Sequence, residues 1–258
     1  MVRELPYSFL AFTEADLTDL VLKIEHEGWS EFVLNQPETR NAITGPLGEQ
    51  LAAAIQSADA DPATRLLMLR GADGAFCSGL NLKEFNRDPP PDWLANFQLT
   101  WRRTHAALYD CSKPIVVALE RFAINGGAAL ALAADLLVVG DDSFLQVGEV
   151  RQGMGAPYNL AWLNLRHSEN VIAQLTLTGK RFTGTDLHRL GIAYAAPATA
   201  DTVSAAKSIC EELAGYPKDA LVSIKRMMRG YRNVPADEWF DIATRNAPKR
   251  SGGPKRVT

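Results

Sequence analysis

Glu149 lies between Gly148 and Gly153 and among Phe144, Leu145, Val147, Val150 and Met154. A carboxyl group deprived of water by such neighbours keeps its proton closer to neutral pH, which suits a group that takes and returns a proton. The competing reading is an ordinary solvated loop acid. A second kind of chemistry resides in glycine turns. Asn125-Gly126-Gly127 follows the apolar run Ile115–Leu119 and opens an Ala/Leu-rich helix, whose first amides have no partner within the helix. Such amides attract negative charge, whether fixed or developing. The segment Gly71–Phe85, marked by Gly74 and Gly79, follows another apolar strand. The two strand-end loops are expected to meet in one site. Two amides aimed at one carbonyl oxygen stabilise an enolate more than the neutral ester or thioester that precedes it. Gly126 and Gly127 also have a plainer reading, a tight reversal from strand to helix.

Other chemistries find less support. His26, His105, His167 and His188 are spaced as surface residues, and no His/Cys grouping has metal-ligand spacing. Ser78 precedes Gly79 without the Gly-x-Ser-x-Gly pattern of a nucleophile elbow. No Gly-x-Gly-x-x-Gly or phosphate-loop lysine is present. A net charge of −3 offers no basic field for nucleic acid. Cys77, Cys111 and Cys210 are odd in number and far apart, as in a reduced cytoplasmic protein. Neither a signal peptide nor a membrane span is legible, so no membrane partner is expected.

The elements that must position these groups are readable from periodicity. Leu20–Glu25 alternates as a half-buried strand, Gly28 breaks it, and Phe32–Leu34 forms its neighbour. Thr44 caps a helix with Leu47, Leu51, Ala54, Ile55 and Ala58 on one face, ended by Asp61-Pro62. Leu66–Leu69 is wholly apolar, as in a sheet covered on both faces. A helix is expected over 93–109, partly burying Leu94, Phe97, Leu99, Trp101 and Leu108. Strands follow at Leu136–Val139 and Phe144–Val147, then an irregular glycine-rich stretch over 148–157. Gly179–Thr183 reads as a turn, with Thr183 capping a short helix that Gly191 closes. Ile192–Ala195 reads as a last strand. An α/β body follows, divided into a loose N-terminal arm over 1–19, a core over 20–196 and a helical C-terminal region over 197–258 suited to oligomerisation. The basic tail Lys249–Arg256 reads as a frayed end.

Several of these stretches, in this order, resemble the crotonase (enoyl-CoA hydratase/isomerase) superfamily from about Leu22 to about Tyr231. They are Leu34-Asn-Gln-Pro-Glu-Thr-Arg-Asn-Ala-Ile43, Gly74-Ala-Phe-Cys-Ser-Gly-Leu-Asn-Leu-Lys83, Lys113-Pro-Ile-Val-Val-Ala118, Gly126-Gly127 with Asp135, and Leu177-Thr-Gly-Lys-Arg-Phe182. The resemblance implies the α/β crotonase (ClpP/crotonase-like) fold of repeated β-β-α units with a helical C-terminal region. It also implies assembly as a homotrimer or homohexamer. The substrates it implies are acyl-CoA thioesters, with no metal or cofactor beyond the coenzyme A that the substrate carries. The family's oxyanion-hole amides fall on Leu80 and Gly126. Leu80, Asn81, Leu82 and Lys83 would line the thioester and pantetheine, with Asn41 and Ala42 nearby.

Family hydratases carry two glutamates. The later one matches Glu149; the earlier one falls on Ala129, which has no acid or base. Hydration divides the work of holding water and delivering a proton between two carboxylates, and losing one costs roughly 10²–10⁴-fold. A double-bond shift needs only one base, and members with only the later glutamate resemble the Δ3,Δ2-enoyl-CoA isomerases. Isomerisation through a thioester enolate is therefore the favoured expectation. A hydratase that uses a substitute, with Tyr158 or Asn159 facing the acyl pocket beside Ala129, is the alternative. Further alternatives are an acyl-CoA hydrolase or decarboxylase, or a catalytically silent CoA-ester-binding protein. Asn125 replaces the family's usual glycine, which asparagine permits because it tolerates left-handed backbone angles.

Overall fold

The computed structural model describes residues 19–230 and 235–245. The expected N-terminal arm and the basic tail therefore lie almost wholly outside the described residues. Strands β1 (Val21–His26) and β2 (Trp29–Leu34) form a hairpin around Gly28, whose φ of +81° suits glycine. β3 (Leu66–Gly71), β4 (Ile115–Leu119) and β6 (Leu136–Val139) extend it in parallel, giving the order β1-β2-β3-β4-β6. β5 (Phe122–Ile124), β7 (Phe144–Gln146) and β8 (Arg181–Thr183) make a second sheet.

Alternation along the central strands puts apolar side chains on both faces of the larger sheet. Leu67, Leu69, Ile115, Val117 and Leu119 join the main core, while Leu66, Met68, Val116 and Ala118 join a smaller one on the opposite face. Helix α8 (Thr202–Ala214) covers that opposite face with Ala206, Cys210 and Ala214. Helices α1 (Gly45–Ala60) and α3 (Phe97–Asp110) pack against each other over the main core. Thr44 caps α1 by accepting from the Leu47 amide, and Asp61 ends it. α2 (Leu82–Phe85) is a single turn; α4 (Gly126–Leu132), α5 (Pro157–Arg166), α6 (Glu169–Thr178) and α7 (Gly184–Arg189) follow in order. α9 (Lys218–Gly230) and α10 (Ala236–Arg245) complete the described chain.

The structure corrects several local expectations. The segment before α3 is a 3₁₀ turn over Asp92–Asn96, and Leu99 points outward, 44% exposed. The turn expected at Gly179–Thr183 contains β8, paired with β7, although Thr183 does cap α7 through a capping box with Asp186. Ile192–Ala195 contributes only an isolated bridge between Ala195 and Val138. β5, too short and too close to β4 to read separately, carries the chain from the large sheet into the glycine turn. Within the C-terminal region, α8 covers its own sheet and α10 packs on α3 and α5, whereas α9 leaves Ile224, Met227 and Met228 exposed.

Candidate active site

The Gly71–Phe85 loop is threaded between two other segments. On one side, Phe76 and Cys77 donate from their amides to Glu120 and Phe122, and Ile124 donates back to Cys77. On the other, Ser78 donates to Arg40, Ile43 donates to the Gly79 carbonyl at 2.8 Å and Asn81 donates to Ile43. The Gly79–Leu80 peptide is trans, so its carbonyl and its amide point opposite ways. With the Gly79 carbonyl turned to Ile43, the Leu80 N–H faces away from that segment.

β5 then delivers the chain into Asn125, at φ +51° and ψ −111°, and Gly126 begins α4. The loops touch here. A β-carbon on Gly126 would come within 2.9 Å of Ile43 Cδ1, 3.7 Å of Trp101 Cζ2 and 4.0 Å of Leu80 Cδ2. One on Gly127 would press against the Cys77 carbonyl at 2.7 Å. Among the described residues, no acceptor bonds the Leu80 or the Gly126 amide. Leu80 and Gly126, predicted from sequence to act together, are therefore neighbours.

Glu149 opens a 3₁₀ turn after β7 and is 7% exposed, which excludes the solvated-loop reading. Its Oε1 accepts from Asn159 Nδ2 at 2.8 Å, while Oε2 has no partner among the described residues. Burial pushes its carboxyl up to about 7, against smaller downward pulls from its own backbone amide and from Asn159. A group with that affinity exchanges a proton readily near neutral pH.

The remaining predicted residues divide into two groups. Asn159, on α5, is fully buried against Glu149, and Tyr158 stacks on His105 with ring centres 4.6 Å apart. Ala129 lies inside the main core with no exposed surface. Asn41 and Ala42 are also buried. Asn41 accepts from the Gln36 amide and donates to the Ala72 and Ala75 carbonyls, so its side chain clasps two loops. Asn81 caps α2 by accepting from the Glu84 amide. Leu82 is half-buried and Lys83 is exposed at the mouth of this turn.

Two residues went unrecognised in sequence. His105, expected at the surface, is fully buried: its Nδ1 accepts from Trp162 Nε1 at 2.9 Å, and burial pushes its pKa down to about 3, so the ring is neutral. It stands one helical turn from Trp101, the aromatic nearest Gly126, and the Trp101–His105 spacing on an apolar helix face was the available signal. Asn125 was legible as a left-handed residue, but not as a clamp. Its Oδ1 accepts from the Gly148 amide at 2.8 Å and its own amide donates to Gln146, tying the glycine turn to the end of β7 and the residue before Glu149. Among the described residues, no group of three or more His, Cys, Asp or Glu side chains has the arrangement to hold a metal ion. No described helix is long and apolar enough to cross a membrane.

The family description "enoyl-CoA hydratase/isomerase" matches residues 25–246. The chain belongs to that family of acyl-CoA enzymes, the crotonase superfamily. The carnitinyl-CoA dehydratase of Proteus mirabilis strain HI4320 is 25% identical over 215 residues, covering 82% of this chain and 81% of its own length. The 1,2-epoxyphenylacetyl-CoA isomerase of Escherichia coli K12 is 24% identical over 247 residues, or 92% and 94% of the two chains. The crystal structure of an enoyl-CoA hydratase from Mycobacterium tuberculosis H37Rv superposes with a TM-score of 0.72 at 27% identity, over 88% of each chain.

Proposed function

We propose that this enzyme shifts the double bond of an enoyl-CoA through a thioester enolate, with Glu149 as the single acid/base. The observation that carries this reading is one buried carboxyl with a free Oε2; Ala129, at the position of the family hydratases' earlier glutamate, brings no second acid. Glu149 Oε2 takes a proton from the carbon next to the thioester of a 3-enoyl-CoA. The electron pair moves into the conjugated system, and the charge on the thioester oxygen is held by the Leu80 and Gly126 amides. Glu149 then returns the proton to the far end of the former double bond, giving the 2-enoyl-CoA. Coenzyme A enters and leaves as part of the substrate, with its pantetheine along Leu80–Lys83, and the reaction as proposed uses no other cofactor. The assembly we propose is a homotrimer or homohexamer.

One observation favours a second reading. Asn159 Oδ1 is buried without a partner beside the base, and an acceptor there is suited to a water or a substrate hydroxyl. That supports hydration or dehydration, as the name carnitinyl-CoA dehydratase implies for one relative. The name of the epoxyphenylacetyl-CoA isomerase points to isomerisation in another. Incubation with 3-hexenoyl-CoA and with crotonyl-CoA separates the readings. Conversion of the first with slow or no hydration of the second is the expected result, lost in Glu149→Gln by about 10²-fold or more. Fast hydration of crotonyl-CoA would replace isomerisation with the second reading. Release of free CoA would reveal a hydrolase.

A further inference from the structure

Glu149 is part of a hydrogen-bonded unit that reaches the glycine turn. Asn159 is 1% exposed, and its Nδ2 donates to two acceptors at once. One is Glu149 Oε1 at 2.8 Å; the other is the backbone carbonyl of Asn125 at 3.1 Å. That carbonyl also accepts from the Ala129 amide at 3.0 Å, as the first bond of α4. It belongs to the trans peptide whose N–H is that of Gly126, and the two ends of a planar peptide point in opposite directions. Holding the Asn125 carbonyl therefore fixes the aim of the Gly126 N–H. A single side-chain amide thus touches both halves of the candidate machinery.

We propose that Asn159 is a positioning residue: one NH₂ group orients the Glu149 carboxyl by Oε1 and the Gly126 amide through its peptide, leaving Oε2 as the oxygen that exchanges the proton. The proposal rests on the reading of Glu149 as the base. Its force is geometric. A carboxylate on a short turn can rotate about its last side-chain bonds, and a misplacement of about 1 Å costs on the order of 10²-fold in rate. Packing alone does not prevent that rotation. A donor on one oxygen does, and because the same donor holds the turn, base and oxyanion donors keep a constant separation.

The test uses exchange of the protons next to the thioester of butyryl-CoA with deuterated solvent. This reports enolate formation whichever overall reaction follows. Asn159→Ala is expected to lower the exchange rate by about 10²-fold with KM changed by less than about threefold. Its acid limb should move up by about one pH unit, because a donor to the charged carboxylate has gone. Asn159→Asp keeps the shape, loses the donor when ionised and adds a like charge, so its limb should move further. An infrared titration of the Glu149 carboxyl in both variants reads the same shift without turnover and applies even to a variant that exchanges too slowly to time. If either folded variant exchanges within threefold of wild type, or loses rate with the Glu149 titration unmoved, Asn159 is packing only and the proposal falls. Undiminished exchange in Glu149→Gln would instead remove the base assignment itself, whatever the Asn159 variants do.

Discussion

Glu149 is unusual because no cation among the described residues pairs with its charge: its own backbone amide, the Asn159 donor on Oε1 and a free Oε2 do not offset the loss of water around a buried carboxylate. That imbalance sets both activity and stability. Only the deprotonated group can act as the base, so kcat/KM should rise with pH through about 7. Stability should move the other way. The folded protein binds a proton that the unfolded chain releases near 4.5, so this group makes folding less favourable as pH climbs from 4.5 to about 7, and the penalty is constant above. Glu149→Gln removes it. Urea denaturation should show the variant more stable than wild type by up to about 3 kcal/mol at pH 8, with no difference below about pH 4. His105 shows the opposite case, a buried titratable group kept neutral by burial and held by Trp162 within an aromatic cluster.

At the scale of elements, the site depends on how closely backbone approaches backbone. Gly127 permits contact with the Cys77 carbonyl, and Gly79, at φ +91°, permits contact with the Ile124 carbonyl. The far end of α4 is fixed by charge. Asp135 accepts from the Ile115 amide at 2.9 Å and faces Lys225 at 2.7 Å, Arg166 at 3.2 Å and Arg229 at 3.6 Å. Burial alone would raise its pKa, but the three cations outweigh burial and hold the carboxyl below its usual range. Lys225 is 2% exposed and also donates to the Lys113 carbonyl, so removing Asp135 leaves a buried ammonium with its neutralising charge gone. Asp135→Asn should cost about 3 kcal/mol in urea denaturation, and Asp135→Asn with Lys225→Met should recover most of it. An unchanged midpoint for the single variant would show that this cluster does not hold α9 to the core.

At the scale of the molecule, helix α9 has two unlike sides. Leu221 and Lys225 face inward, one turn apart, while Ile224, Met227 and Met228 stand 57%, 70% and 62% exposed. A monomer seldom leaves such a row uncovered, and the homotrimer or homohexamer proposed above would cover it. Light scattering coupled to gel filtration should find a trimer or hexamer for the wild type. Ile224→Asp with Met227→Asp should give a monomer; an oligomer that survives both changes would place the contact elsewhere. α8 packs Ala206, Cys210 and Ala214, and α10 packs Ala236, Trp239 and Phe240, within their own chain.

Much of this was decided locally. The unbroken apolar runs Leu66–Leu69 and Ile115–Leu119 require a sheet buried on both faces, Thr44 and Thr183 mark helix starts, and glycines mark where loops must approach closely. The ordered motifs over 34–43, 74–83 and 113–118, with Gly126-Gly127, Asp135 and 177–182, were enough to place the chain in its family. The tertiary structure alone decided which polar side chains are free for chemistry. Asn41, Asn81, Asn125 and Asn159 are the same residue type in sequence; three of them hold backbone only, and the fourth also holds the base. The physical reason is range. Periodicity records how a residue faces its neighbours within a turn or two, whereas the bonds from Asn159 cross 10 and 34 residues. Their partners are set by how α5 packs against the start of α4, which no local pattern records.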